Sequence, residues 1–500
     1  MAEDPAPSPD GLAERPFDVL VVGGGNAGFS AAHAAAERGR RVLLVEKGQP
    51  DEAGGNSYYT AGAFRIAHSG LAEISDLLDP DERLDATVLP PYEAEAYLAD
   101  MKKVTSGRAD PVLSEALVHD SQDVLRWLHG LGLRFRLMFE RQSYPDSAGR
   151  HVFWGGLAVG STDGGQGLME QHIAAAQKSG IEVRYGLRGT ELVVDDGAVC
   201  GVVCTDANGA TVALHAESVV LAAGGFEADP ELRRRHLGAG WERAKVRGTP
   251  LNTGDMLRAA LNAGVAPAGD WASCHSVAWD ARAENNESNR ELTNRLTRQS
   301  YPLGIVVNNR GLRFLDEGAD FRNYTYAKYG REILAQPDGI AFQVFDAITR
   351  PMLRTEEYDS PGASVVVADS LEELARGMGV DAEAFRRTVE EFNASIDRDV
   401  PLDPSVKDGR AARVDPPKSN WAIPVEQAPY YAFPVTCGIT FTFGGLHADE
   451  HGRALDSSGK PVPGLFACGE MLGGLFSGNY PGGTGLTAGA VFGRRAGSLA

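Results

Sequence analysis

Apolar residues first gather at Phe17 to Val22 and again at Val42 to Val45, two short runs without polar alternation. That is the pattern of strands buried on both faces of a parallel sheet. Ala27 to Arg38 between them is alanine-rich, so FDVLVVGGGNAGFSAAHAAAERGRRVLLVEKG predicts strand, glycine turn, helix and strand, one βαβ unit. Helical spacing recurs over Leu113 to His129 and Gln166 to Ser179, each stopped by a glycine, and over Asn252 to Gly264. From Ile181 to Val220 the period shortens. IEVRYG, TELVVDDGAVCGVVCTDANG and ATVALHAESVV predict a small antiparallel ribbon with Asp196-Gly197 and Asn208-Gly209 at its turns. Ser218 to Ala223 then reads as a strand returning to the main sheet.

From about Trp271 to Val435 the texture changes to isolated strands (GIVVNN, SVVVAD), a charged helical stretch from Asp381 to Ile396, and the loop PLDPSVKDGRAARVDPPKSN. Glycine-rich apolar sequence returns after it. The expected organisation is a loose tail at 1–15 and an α/β, Rossmann-like domain over 16–270 and 436–500, made of a parallel sheet plus an antiparallel ribbon. An α+β capping domain, 271–435, is inserted between its two parts.

Five hundred residues accommodate two or three such units. Lys and Arg number 48 against 68 Asp and Glu, a net charge of -20, so nucleic acid and anionic lipid are not expected partners. No apolar run approaches the roughly 20 residues that cross a bilayer, and MAEDPAPSPDGLAERP is unlike a secretory signal. A cytoplasmic protein without membrane insertion is expected. Five cysteines without a CxxC pair signal neither a disulfide framework nor a metal site. Glycine, at 60 residues, is in excess and needs a local explanation.

The first part of that explanation is Gly23, Gly25 and Gly28, a G-x-G-x-x-G turn enclosing Asn26 and Ala27 between the first strand and helix. Gly23 permits the tight turn, Gly25 lets a pyrophosphate approach the backbone, and Gly28 lets helix and strand pack closely. Glu46, followed by Lys47, ends the second strand where a carboxylate can accept ribose hydroxyls. A dinucleotide site follows from this arrangement. Gly54, Gly55, Asn56 and Ser57 offer amides for a second phosphate or a flavin edge. Ala222, Ala223 and Gly224, and Gly469 with Glu470, lie at further strand ends, so a large bent cofactor touching several loops suits the chain better than NAD.

Together the motifs GGGNAG, EK, GGNS, AAGG, NTGD (with Asn252 and Asp255) and ACGE resemble the flavoprotein subunit family of succinate dehydrogenase and fumarate reductase, from Phe17 to Gly497. GGNSYYTAGAFR, KVTSGR, GDWASCHSVAWD, GLRFLDEGADFRNYTYAKYG and NYPGGTG are similar to the FAD-dependent tricarballylate dehydrogenases within it. The resemblance implies FAD on the first domain and a cap closing over a small carboxylate substrate. The implied reaction is dehydrogenation of a saturated C–C bond, tricarballylate to cis-aconitate or a related polycarboxylate. Electrons would pass to an external acceptor, whether protein, quinone or oxygen. Asn56 stands where covalently flavinylated members carry histidine, which implies non-covalent FAD. Gly482, Gly483, Thr484, Gly485 and Leu486 open a closing helix whose dipole suits negative charge at the flavin.

The same resemblance supplies reaction-centre candidates. His275 matches a substrate-binding histidine, with a satisfied core histidine as the alternative. Arg322 lies one residue beyond the position of the proton-shuttling arginine and is expected to transfer a proton or clamp a carboxylate. A guanidinium exposed to solvent and paired with Asp320 or Glu317 is the other reading. Phe441 replaces the family's second histidine. Tyr480 replaces its late arginine and is similar to the YPG tyrosine of 3-ketosteroid dehydrogenases, so it is expected either to act on a carbonyl or carboxylate or simply to pack. Arg65 and Arg298 are further cationic candidates. Two other functions stay open: a ketosteroid-type or biosynthetic desaturase or ene-reductase acting on an enone, and a flavin-binding redox sensor without turnover.

Overall fold

The computed structural model describes residues 17–146, 148–153, 155–283 and 289–500; the tail expected at 1–15 lies outside the described residues. In chain order the elements that position the site are β1 (Val19–Val22), α1 (Asn26–Glu37), β2 (Val42–Val45), α2 (Gly164–Lys178) and β3 (Glu182–Arg184). β4 (Arg188–Asp195), β5 (Ala198–Thr205), β6 (Thr211–His215), β7 (Ser218–Leu221) and α3 (Asp255–Asn262) follow. Then come β8 (Pro267–Asp280), β9 (Ile305–Asn308), α4 (Tyr326–Leu334), β10 (Ile340–Phe345) and β11 (Tyr430–Leu446). β12 (Arg453–Leu455), β13 (Pro461–Ala467) and α5 (Thr484–Leu499) complete the set.

The main sheet has the order β12-β13-β7-β1-β2-β3, all parallel except β12. All four residues of β1 and of β2 are buried, as their unbroken apolar runs require. Register then decides where the loops go. Val22 lies opposite both Val45 and Leu221, and Leu221 opposite Ala467. The carboxyl ends of four strands are therefore level, and the loops that begin at Gly23, Glu46, Ala222 and Cys468 leave from one edge, where α/β sheets bind their ligands.

The ribbon is β4-β5-β6, antiparallel. IEVRYG is not part of it: β3 pairs parallel with β2, Leu43 opposite Glu182, and forms the sheet's edge. α2 precedes it as a crossover, and such a crossover delivers a parallel strand, not a hairpin partner.

α1 and α5 pack backbone to backbone. A Cβ on Gly493 would stand 2.4 Å from the Ala27 carbonyl oxygen, and one on Gly497 only 2.0 Å from that of Ala31. Much of the late glycine excess serves this contact.

In the inserted region β9, β10 and β11 form an antiparallel sheet, with β8 on the other side of β11. Phe385, Val389 and Phe392 of the helix Ala382–Ala394 cover Ile305 and Val307. Positions 271 and 435, where the cap was expected to begin and end, fall inside β8 and β11. Two long paired strands thus run across both expected boundaries. Their register breaks between Asp270 and Cys274 and again between His275 and Ser276, leaving Thr440 as the extra residue between Phe441 and Ile439. Such bulges re-aim side chains. All five cysteines are buried and unpaired. Among the described residues no helix is long and apolar enough to cross a membrane.

Candidate functional site

One cavity opens at the level strand ends. Gly23, Gly25, Asn26, Ala27, Glu46, Lys47, Gly55, Asn56, Ser57, Ala222, Ala223, Gly224, Asn252, Asp255, Gly469, Glu470, Gly483, Gly485 and Leu486 all line it. Side-chain bonds tie its loops together. The Asn26 amide N–H donates to Ser57 Oγ (3.0 Å) and its Nδ2 to the Leu486 carbonyl (2.8 Å). Glu46 accepts from the backbone N–H of Gly24 and of Gly48, each at 2.7 Å. Lys47 Nζ bridges the Leu251 carbonyl, Thr253 and Asp255. Burial opposes the charge on Asp255, but Arg188 and Lys47 outweigh it and hold the carboxyl down to about 2.

Four expected residues stand behind the wall. A Cβ on Gly28 would lie 1.9 Å from the Gly23 carbonyl oxygen, so only glycine lets α1 start there, and Gly54 turns the chain at φ 107°. Gly482 donates its N–H to the Asn323 carbonyl (3.1 Å), and Thr484 Oγ1 accepts from the Tyr97 hydroxyl (3.1 Å). The site fits FAD: a turn that only glycine can make at the N-terminus of α1 for the pyrophosphate, Glu46 for the ribose, and a second glycine turn beside α5.

Glu227 was not foreseen. It is fully buried, and its Oε1 accepts from Asn56 Nδ2 (2.7 Å) and Asn252 Nδ2 (2.6 Å). It faces Glu470, whose Oε1 accepts the Thr442 N–H at 2.7 Å. Burial, then the charge of Glu227, pushes Glu470 far above the ordinary carboxylate range, which favours its protonated form beside Glu227.

Further into the same cavity lie His275, Tyr326, Phe441, Tyr480 and Arg322. His275 sits directly across the strands from Phe441, their rings 5.3 Å apart, and its ring meets those of Tyr480 at 4.9 Å and Tyr326 at 5.2 Å. Among the described residues neither of its nitrogens has a hydrogen-bond partner, so it is not a satisfied core histidine. Burial, then Arg247, drives its pKa well below the usual value and keeps it neutral. Tyr480 is packed among aromatic rings, but its hydroxyl meets that of Tyr326 at 2.5 Å.

Arg322 opens a short turn, Arg322–Tyr324, just before α4. Its Nη1 donates to Gln299 Oε1 (2.6 Å), and its Nη2 to the Arg141 carbonyl (3.1 Å) and Gln142 Oε1 (3.3 Å). Burial, then Arg354, pulls the guanidinium down to about 10. The exposed alternative fails because its partners are taken: Asp320 pairs with Lys103 and Lys407, and Glu317 with Arg313.

Arg65 and Arg298 are not brought to the cavity wall. Arg65 is fully buried behind it, its Nε on the Gly482 carbonyl (2.8 Å) and its Nη1 on the Tyr92 hydroxyl (2.8 Å) and Asp100 (3.3 Å), bracing the turn into α5. Arg298 pairs with Asp280 at 2.7 Å, both side chains fully buried. Each has its counter-ion inside the protein, so neither guanidinium is free to face a ligand.

Sequence reasoning missed Arg141, Gln142, Arg247 and Gln299, all of which line the cavity. Arg141 and Gln142 end the four-residue helix Phe139–Gln142 and belong to no motif. Arg247 sits five residues before Asn252 of NTGD, which was the only hint. Its Nη1 donates to Thr440 Oγ1 (2.8 Å), the residue freed by the bulge.

Residues 18–486 match the family described as FAD binding domain. The chain is 29% identical to a probable fumarate reductase of Shewanella frigidimarina over 486 residues, 96% of this chain and 74% of that one. It is 28% identical to a 4-oxocyclohexanecarboxylate 2-dehydrogenase of Sinomonas cyclohexanicum, over 97% of this chain and 91% of that one. Among solved structures, the open conformation of a flavocytochrome c3 fumarate reductase superposes with a TM-score of 0.71 at 26% identity, covering 96% of this chain and 77% of that one.

Proposed function

The chain belongs to the FAD-binding family of fumarate reductase-type flavoproteins, FAD-dependent oxidoreductases of carbon–carbon bonds, and on that premise we propose that it dehydrogenates a saturated C–C bond beside a carboxylate, with a di- or tricarboxylate as substrate. One observation carries this reading: Arg322 is buried on the wall of the cavity that the nucleotide loops also line. Arg141, Arg247 and Arg354 surround it, and the ion pairs of this group are those of Arg141 with Glu356 and Glu357 and of Arg354 with Glu357, so cations outnumber their carboxylates here in an acidic chain. A polycarboxylate supplies the missing negative charge. Tricarballylate is the first candidate.

The turn at Gly23 and Gly25, Glu46 and Gly483 would hold FAD, which would supply two-electron, hydride-accepting chemistry for one substrate carbon. The neighbouring carbon must lose a proton as the C–H pair becomes the new π bond. Arg322 receives that proton, because burial and Arg354 bring its neutral form within reach. Arg247 steadies charge that develops on the substrate, and neutral His275 donates or accepts one hydrogen bond at the same wall. Asn56, the residue in the place of a flavin-bonding histidine, spends its amide on Glu227, the Thr440 carbonyl and the Thr249 N–H. FAD is accordingly held without a covalent bond, and electrons leave to an external acceptor, whether protein, quinone or oxygen.

The paired hydroxyls of Tyr326 and Tyr480 favour a second reading, in which the activated group is a ketone and Tyr480 donates to its oxygen. A relative named for a keto acid is in keeping with this. Anaerobic mixing of the holoenzyme with tricarballylate, succinate, 4-oxocyclohexanecarboxylate and a neutral ketone separates the two. Loss of the flavin colour with the carboxylates supports the first reading, and loss with the neutral ketone alone supports the second.

A further inference from the structure

We propose that Gln142 and Gln299 form a carboxylate cradle with Arg322, and that their side-chain amides set the specificity of the site for an anionic group on the substrate. This rests on the carboxylate reading above and names the groups that would enforce it. In the protonated form that binds an anion Arg322 carries only donors, so the atom each glutamine presents to it must be the carbonyl oxygen. Gln299 Oε1 accepts from Nη1 at 2.6 Å and Gln142 Oε1 from Nη2 at 3.3 Å. The guanidinium therefore fixes the orientation of both amides and turns each NH2 away from itself.

Both glutamines are buried, at 4% and 3% exposure, and both line the cavity. No described residue accepts a hydrogen bond from either NH2. The nearest carboxylate is already taken, since Glu357 accepts from the Gln299 backbone N–H (2.8 Å) and pairs with Arg141 (3.1 Å) and Arg354 (3.4 Å). Arg322 spends three of its five N–H donors on Gln299, Gln142 and the Arg141 carbonyl, which leaves two. Two NH2 groups without a protein acceptor, on side chains that line the cavity beside a cation with donors to spare, call for a ligand that only accepts, and a carboxylate does. A carboxamide or ester of the same shape would leave donors unpaired or set NH2 against NH2, and would be rejected for that reason.

The two halves come from different parts of the fold. Gln142 belongs to the nucleotide domain, its N–H anchored on the Met138 carbonyl at 2.9 Å, and Gln299 to the inserted region. The cradle is complete only when the two meet.

The test compares the holoenzyme with Gln142→Glu and Gln299→Glu, which keep an oxygen for Arg322 and replace the NH2 by a charged oxygen. Anaerobic titrations with tricarballylate, succinate and cyclohexanone follow the flavin absorbance. Each substitution is expected to raise the half-saturating concentration of both carboxylates at least about tenfold while leaving the response to cyclohexanone, or its lack, unchanged. Should either substitution abolish FAD retention, Gln142→Leu or Gln299→Leu at the same position carries the same expectation. Unchanged carboxylate binding in variants that hold FAD would overturn the proposal, and so would an equal loss for carboxylate and ketone, which marks a purely structural role. A wild-type enzyme that responds to no carboxylate defeats the underlying reading instead.

Discussion

The hydroxyl oxygens of Tyr326 and Tyr480 lie 2.5 Å apart, joining α4 of the inserted region to the segment that leads into α5. Burial, then the neighbouring Tyr326, pushes Tyr480 well above the ordinary tyrosine range, so it remains a proton donor throughout the neutral range. If the activated group is a ketone, Tyr480→Phe should slow anaerobic flavin reduction by 4-oxocyclohexanecarboxylate roughly tenfold to a hundredfold with bound flavin unchanged. Stopped-flow absorbance checks both. Tyr326→Phe, which loses only the partner hydroxyl, should have the smaller effect.

Arg322 sets the pH dependence. Its proton-accepting form is the neutral guanidine, and the group titrates near about 10. The rate of flavin reduction should rise by about tenfold per pH unit from neutrality and level off as that value is reached. Arg322→Ala should lose roughly 10² to 10⁴ in rate and lose the slope with it. A flat profile in the wild type would remove Arg322 from the proton transfer.

The Glu227–Glu470 pair predicts a stability effect of definite sign. Glu470 has its pKa raised in the folded protein by burial and by Glu227. The native state therefore holds a proton that the unfolded chain releases, and stability falls as pH rises above the ordinary glutamate value toward the raised one. Glu470→Gln keeps a donor for Glu227 and removes the titration. The melting temperature of the variant relative to wild type should increase between pH 5 and pH 8, by thermal melting of the holoenzyme.

Arg298 has a structural role. Alanine there strands Asp280 as a buried charge, which typically costs about 3–5 kcal/mol. Chemical denaturation should show that loss in full, while the surviving folded fraction reduces its flavin at the wild-type rate.

Much of the site was legible in the sequence because it is made of backbone. Gly23, Gly28 and Gly483 announce a cofactor wall through what side chains would obstruct, and unbroken apolar runs fix the strands whose level ends assemble it. The carboxylate end was legible only in part. Arg322 was found through a family motif one residue out of register, whereas Gln142 and Gln299, 157 positions apart, become a unit only where two surfaces meet. Arg65 and Arg298 show the converse. An arginine near a motif looks the same in sequence whether its counter-ion is a substrate or a buried Asp100 or Asp280. The strand misplaced in the ribbon, β3, failed because three residues carry too little pattern to distinguish a parallel edge from a hairpin.

The most direct test is an anaerobic titration of the yellow holoenzyme with tricarballylate and succinate, following the visible flavin band in wild type and in Arg322→Ala of equal flavin content. At least one of the two is expected to bleach the wild type, with little or no bleaching in the variant. Bleaching by a neutral ketone with no response to either carboxylate, or equal bleaching in both proteins, would contradict that expectation.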